Sequence, residues 1–180
     1  ARLTSIVKNQ APNFINCDFD IESADLTVFK SFPEVGLKIN DVVLVNKMAG
    51  NPSDTLAYIH ECVVSVDIKK FFKENQIIID ECKLNGGYVN LFTDASGNTN
   101  IDIFPPTQAD TTAEESSEFI YGIDLASMKM TNVDVKYTDL TQGMYADING
   151  LNMSAKAKVR GENIAGNVNM SLRDIAYQQV

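Results

Sequence analysis

Side chains able to do chemistry are few in this sequence, and they do not gather. His60 is the only histidine, set in Tyr58-Ile59-His60-Glu61-Cys62. One histidine is enough for a Ser-His-Asp or Cys-His site, so counting excludes neither. The surroundings argue against both: the 180 residues contain no Gly-x-Ser-x-Gly elbow, no His-Glu-x-x-His pair and no phosphate-cradling loop. His60 therefore reads as a plain strand position. Cys17, Cys62 and Cys82 are too few and too scattered for a disulfide framework or a zinc site, and their odd number leaves at least one unpaired. Cys62 and Cys82 could meet across neighbouring strands if their Cα separation allows; otherwise the three are small buried hydrophobes. Asp94-Ala95-Ser96-Gly97-Asn98 lacks the spacing and closing Glu of a calcium loop and reads as a turn. Asn152-Met153-Ser154 and Asn169-Met170-Ser171 are glycosylation sequons in form only. The expectation is a protein without catalytic residues, metal or cofactor.

Composition narrows the class further. Hydrophobic residues make up 44%, ordinary for a globular chain long enough to bury a core. No stretch approaches the roughly 18 consecutive apolar residues of a membrane-spanning helix. A formal net charge of −9 argues against nucleic-acid binding through phosphates and against broad docking on anionic lipid. The sequence opens on Ala1 rather than Met, so a processed or excised segment with targeting information upstream is expected.

Holding any surface in place falls to strands. Ala1 to Phe14 has helical character in Leu3, Ile6 and Val7, ended by Pro12. From Cys17 the period becomes two, with Phe19 and Ile21 alternating with Asp18, Asp20 and Glu22. Phe29 to Pro33 is a connection; strands follow from Val35 to Val45 and from Leu56 to Val66, around a turn at Gly50-Asn51-Pro52-Ser53-Asp54. Asp67 is a plausible N-cap for a short helix carrying Ile68, Phe71 and Phe72. Ile77 to Leu84 and Tyr88 to Thr93 read as a hairpin about Asn85-Gly86-Gly87, followed by a short strand from Ile101 to Phe104. Residues 105–118, with Pro105-Pro106, Glu114, Glu115 and Glu118, read as an acidic flexible linker. Strands resume over Ile120 to Tyr137, Tyr145 to Met153, Ala155 to Val159 and Ile164 to Leu172, with a turn at Gly161-Glu162-Asn163.

Several strands share one arrangement: two alternating apolar residues, a two-residue skip, then two more. It occurs at Leu37, Ile39, Val42, Leu44, at Ile77, Ile79, Cys82, Leu84, and at Ile123, Leu125, Met128, Met130. Weaker or later cases are Phe19, Ile21, Ala24, Leu26, then Ala146, Ile148, Leu151, Met153, and Met170, Leu172, Ile175, Tyr177. In a regular strand the skip would throw the second pair onto the opposite face. A β-bulge restores both pairs to one face and bends the strand; a tight corner between two strands would do the same. The predicted fold is mainly β, a curved, twisted antiparallel sheet forming an open groove, with one or two short helices. The twelve residues of the first three sets are the candidates to line that groove; a closed sandwich core is the alternative for them.

From Leu26 to Phe104 the chain resembles the N-terminal region of AsmA-like proteins, the bacterial family that includes TamB. The likeness is one of ordered features. Asp25-Leu26-Thr27-Val28-Phe29-Lys30-Ser31-Phe32-Pro33 and Leu37 to Leu44 come first. Val64-Ser65-Val66-Asp67-Ile68-Lys69-Lys70-Phe71-Phe72, Ile77 to Leu84, and Tyr88-Val89-Asn90-Leu91 follow. Asp94, Gly97, Asn100 and Ile101 close the series. The Phe29 to Pro33 run is most similar to versions in Bacteroidetes-type bacteria. Residues 119–180 look like a further β repeat continuing the same sheet, after the region 1–104. The family's initial membrane-spanning helix is absent, and its members run to several hundred residues, so an N-terminal fragment is implied. The resemblance implies a periplasmic protein held to the inner membrane by a segment upstream of this one. It further implies a non-enzymatic groove that shields phospholipid acyl chains in transit between envelope membranes, with envelope proteins as partners. The rival reading is a structural or protein-binding β-sandwich module of the cell envelope.

Overall fold

The computed structural model describes residues 2–28, 34–105, 120–160 and 163–180. In chain order the described residues form α1 Arg2–Gln10, β1 Asp18–Asp20, β2 Ser23–Val28, β3 Glu34–Val45, β4 Thr55–Asp67, α2 Ile68–Glu74 and β5 Gln76–Thr93. Then come β6 Ile120–Asp139, β7 Met144–Arg160, β8 Asn163–Ser171 and β9 Asp174–Gln179. All nine strands belong to one sheet that does not close into a barrel. β1 and β2 lie end to end along β3, and β8 and β9 lie end to end along β7, with β4, β5 and β6 between. The fold is mainly β with two short helices, as the period-two alternation predicts.

Local chemistry explains the helices. Asp67 caps α2 as expected, its Oδ1 accepting from the backbone N–H of Lys69 at 2.8 Å and of Lys70 at 3.2 Å. Asn75, in the left-handed region, ends it. Of the apolar set expected on that helix, Phe72 is exposed, and the side chains of Ile68 and Phe71 lie outside the described ones. Pro12 sits in the 3-10 turn Ala11–Asn13 that follows α1. α1 is held against β2: Thr4 Oγ1 accepts from Ala24 N–H at 3.1 Å, and Lys8 pairs with Asp20 at 2.7 Å.

Three expectations need correction. Asn85-Gly86-Gly87 does not turn a hairpin; β5 runs through it, and pairing with β4 continues from Glu61 opposite Asn85 to Ile59 opposite Gly87. The glycines supply positive φ (69° and 123°) for a bend instead of a reversal. Ile101 to Phe104 forms no strand. Its backbone bonds close locally, Asp102 N–H to Thr99 O and Ile103 N–H to Ile101 O, while the Ile103 side chain is buried against Leu56 and Ala57. Third, the sheet is not antiparallel throughout. β5 and β6 pair in parallel from Gln76 opposite Ile120 to Thr93 opposite Asp139. A parallel pair needs a crossover of about a dozen residues or more, which a hairpin cannot provide. Residues 94–119 provide it. The segment read as a linker, 105–118, lies outside the described residues from Pro106 onward. β6 to β9 continue the same sheet, and the two predicted strands Tyr145 to Met153 and Ala155 to Val159 are the single strand β7.

The start of the crossover is pinned by Asn100, which is fully buried. Its side chain accepts from Phe92 N–H at 2.9 Å and donates to Asn90 O at 2.7 Å, while its carbonyl accepts from Asn46 Nδ2 at 2.7 Å. Asp94 shapes the preceding turn, accepting from Ser96 and Asn98 N–H and from Asn98 Nδ2; these bonds hold its carboxyl below the ordinary aspartate range.

A Cβ at Gly87 would stand 2.0 Å from Tyr58 O, at φ +123°, whereas one at Gly50, φ +81°, would meet nothing. Gly87→Ala is therefore expected to cost at least ~2 kcal/mol of unfolding free energy, and Gly50→Ala about 1 kcal/mol, in urea titrations.

Candidate functional site

Strand register turns the skip pattern into a surface. Cross-strand partners share a face, and the pairings join apolar residues in rows across the sheet. One row is Leu26, Leu37, Val64, Cys82, Met128, Ala155 and Val168, each opposite the next. The next is Ala24, Ile39, Cys62, Leu84, Met130, Met153 and Met170. Further along the strands lies Phe19, Leu44, Ala57, Val89, Val135, Ile148 and Ile175. Not one polar side chain interrupts these rows.

Between the second and third rows runs a crease. Left-handed residues fall there on strand after strand: Asp41 (φ 49°) on β3, Gly86 on β5, Asn132 (φ 50°) on β6 and Gly150 (φ 62°) on β7. Asp and Asn are the non-glycine residues that tolerate this region best. The breaks between β1 and β2 and between β8 and β9 fall on the same line, closed by Glu22 N–H to Asn40 O and Arg173 N–H to Asn149 O. Each crease residue restores the face that the two-residue skip would have lost. Side chains beside the crease, Ile39, Val42, Ile59, Met130, Val133 and Leu151, are the buried core. On a flat single sheet their outer ends would stay in solvent, yet Val133 is 0% exposed. The sheet therefore bends toward its apolar face, and side chains on the inside of the bend crowd over one another. Leu3 and Val7 of α1 add to the cluster at the β2 end. At the far end Ile103, with Ile15 and Cys17, clusters with Leu91 and with Leu44, Ala57 and Val89 of the third row, while α2 packs on β4 and β5; no second sheet among the described residues lies over the apolar face.

Eleven of the twelve groove candidates sit on this face, by side chain or by register. Leu37, Ile39, Val42 and Leu44 do so on β3 through Asp41. On β5 a register shift after Ile79 makes Asp80 the extra residue: Ile79 opposes Val66 while Cys82 opposes Val64, so Ile77, Ile79, Cys82 and Leu84 share a face. Ile123 pairs with Ile79, Met128 with Cys82 and Met130 with Leu84; the Ile123 side chain lies outside the described ones. Leu125 is the exception. It falls in the irregularity between Ile123 and Ser127, has no partner in the β5–β6 register and is 37% exposed. The candidate set missed Ala57, Ile59, Cys62 and Val64 of β4, which carry the same two-skip-two spacing inside a run apolar enough to disguise it.

The opposite face is polar along its middle, with Ile78 and Phe92 buried toward the two ends of β5. Asp25, Lys38, Val63, Lys83, Lys129, Ser154 and Asn169 form its row, with Lys38 paired to Glu61 at 2.9 Å and Lys136 to Asp147 at 3.9 Å. His60 stands on this side at the crease. Its Nδ1 lies 3.1 Å from Tyr58 Oη and 3.5 Å from Asp41 Oδ1, and Tyr58 donates to Asp41 at 2.5 Å. The Tyr58 hydroxyl holds the Asp41 carboxyl below its usual range, and the hydrogen bond to Asp41 raises that of Glu22. Cys62 and Cys82 lie diagonally on neighbouring strands of the apolar face as free thiols hydrogen-bonded to each other, which pushes Cys62 up and Cys82 down.

No family model matches the chain, and neither a curated protein nor a solved structure matches it. What it does is to be read from its own surface.

A carboxyl raised in the folded state stabilises below its unfolded pKa, and that contribution disappears as pH rises through the folded value. Glu22 is such a group, so Glu22→Gln is expected to raise the urea midpoint at pH 7. The gain should shrink to nothing as pH falls below the ordinary carboxylate range near ~4.

Proposed function

We propose that the apolar face is a non-enzymatic shelter for phospholipid acyl chains, carried in the periplasm by an AsmA-like protein anchored to the inner membrane through a segment upstream. The observation that carries this reading is the set of unbroken apolar rows on a face that no second sheet covers among the described residues. The resemblance of Leu26 to Phe104 to AsmA-like proteins supplies the cargo and the compartment.

The energetics fit. Exposing an acyl chain of roughly 16 carbons costs about 0.8 kcal/mol per CH₂, or on the order of 12 kcal/mol. A surface of Leu, Ile, Val and Met removes much of that cost without directional bonds, so cargo is held and also free to slide. The rows run across the strands, which lie ~4.8 Å apart. Four or five strands therefore span an extended chain of that length. A structural sandwich module needs a second sheet over the same residues; the nine described strands make one sheet.

Photocrosslinking decides. A photoreactive amino acid replacing Met128 or Leu84, half-buried on the apolar face, is expected to give phospholipid adducts in the folded protein. The same amino acid at Lys83 or Lys129, on the polar face, is expected to give at least tenfold fewer. Equal or absent labelling at the two faces would reject the shelter.

A further inference from the structure

Far apart in sequence, Cys62 and Cys82 are brought to one place by strand register. Cys62 opposes Leu84 and Cys82 opposes Val64, so the two stand diagonally on β4 and β5, both on the apolar face. Both are free, and their thiols are hydrogen-bonded to each other. Diagonal neighbours stand roughly 7–8 Å apart, wider than the Cα separation of about 5.5–6 Å usual for a disulfide. The sheet therefore holds the two sulfurs in contact while its backbone opposes a bond between them. A third sulfur lies beside them: Met128 on β6 is the register partner of Cys82 and shares its face. Cys62 and Met128 both pack against the buried cluster at the crease.

We propose that Cys62, Cys82 and Met128 form a binding site for one soft monovalent metal ion, Cu(I), held by two cysteine sulfurs and a thioether on the apolar face. Ligand chemistry chooses the ion. Thiolate and thioether donors suit Cu(I) and not hard cations, which take oxygen ligands. Structural zinc takes four ligands, and no group of three His, Cys, Asp or Glu side chains able to hold a metal occurs among the described residues. A cuprous ion, with its filled d shell, is satisfied by two or three sulfurs. Val64 and Leu84, the cross-strand partners of the cysteines, keep water from that ion. Each cysteine that binds as thiolate passes its proton to solvent, so binding weakens as pH falls. Cys82 gives up its proton first, because the shared hydrogen bond lowers its thiol and raises that of Cys62. One thiolate beside a singly charged ion already makes a neutral site, so no uncompensated charge enters the apolar surface. The inference does not use the acyl-chain reading and holds or fails apart from it.

Anaerobic competition with the chromogenic chelator bicinchoninate tests the site, with Cu(I) itself as the probe and native mass spectrometry counting bound ions. The parent is expected to take one equivalent of Cu(I), more tightly as pH rises, and no zinc. Cys62→Ala and Cys82→Ala are each expected to weaken uptake by about tenfold or more, with unchanged circular dichroism spectra. Met128→Leu keeps the volume and the apolar face, removes only the thioether, and is expected to weaken uptake about tenfold. Cys17→Ala, at the far end of the sheet, is expected to bind as the parent does. A parent that takes no Cu(I) from the chelator overturns the proposal. So does peptide mapping that finds Cys62 and Cys82 joined as a disulfide, or a Cys62→Ala, Cys82→Ala or Met128→Leu variant that binds as tightly as the parent.

Discussion

Everything in this fold depends on keeping side chains on the correct side of a strand. Alternation has a period of two, so one added residue sends all that follows to the other face. Here most strands carry such an added residue, and the left-handed conformations of Asp41, Gly86, Asn132 and Gly150 return the chain to register at one line across the sheet. A single strand with this defect would be an irregularity. Repeated strand by strand, it becomes a fold axis that bends the sheet while pairing resumes on both sides of it. It also produces a buried core from one layer, since Ile39, Ile59, Val133 and Leu151 are covered by their neighbours on the inside of the bend.

The polar face completes the arrangement. Lysines and carboxylates alternate with the apolar rows, and paired groups such as Lys38 and Glu61 leave that side well hydrated. At the crease the outside of the bend opens the backbone. There the side chains of Tyr58, Asp41, His60 and Glu22 bond to one another, beside the point where the β3–β4 register skips from Val42 opposite Ile59 to Asn40 opposite Glu61. These exposed groups contribute little stability individually. Their value is local: they fix Asp41 in the conformation that holds Ile39 and Val42 on the same face.

Much of this was legible because the skip is a chemical signature. Leu37, Ile39, Val42 and Leu44, separated by Asn40 and Asp41, combine two apolar pairs with residues that accept positive φ. The N-cap at Asp67 was legible for the same reason, a side chain with one local task. β4 was less so, since Val63 and Val66 fill in the pattern and hide its spacing. Gly86-Gly87 misled because a glycine pair permits both reversal and bend, and only the partner strand decides which. The parallel join of β5 to β6 has no local signal at all; it is fixed by where a long connection returns the chain. Asn100 carries no local signal of its role, since its three bonds to neighbouring segments are a purely tertiary fact.

The direction of the rows is the last consequence. Because they run perpendicular to the strands, the length of the apolar track is set by the number of strands and its width by their length. Lengthening a strand widens the bend; adding a strand extends the path by ~4.8 Å with no change in its cross-section. On the acyl-chain reading, binding strength per unit length would then stay constant, since each added strand contributes a similar few aliphatic side chains beside the crease. A track of that kind has no preferred stopping place for a hydrocarbon, whereas a pocket built at one point of it would. On that reading the makeup of the three described rows matters: an unpaired buried hydrogen-bonding group would create a stopping place, whereas the Cys62 and Cys82 thiols in these rows bond to each other.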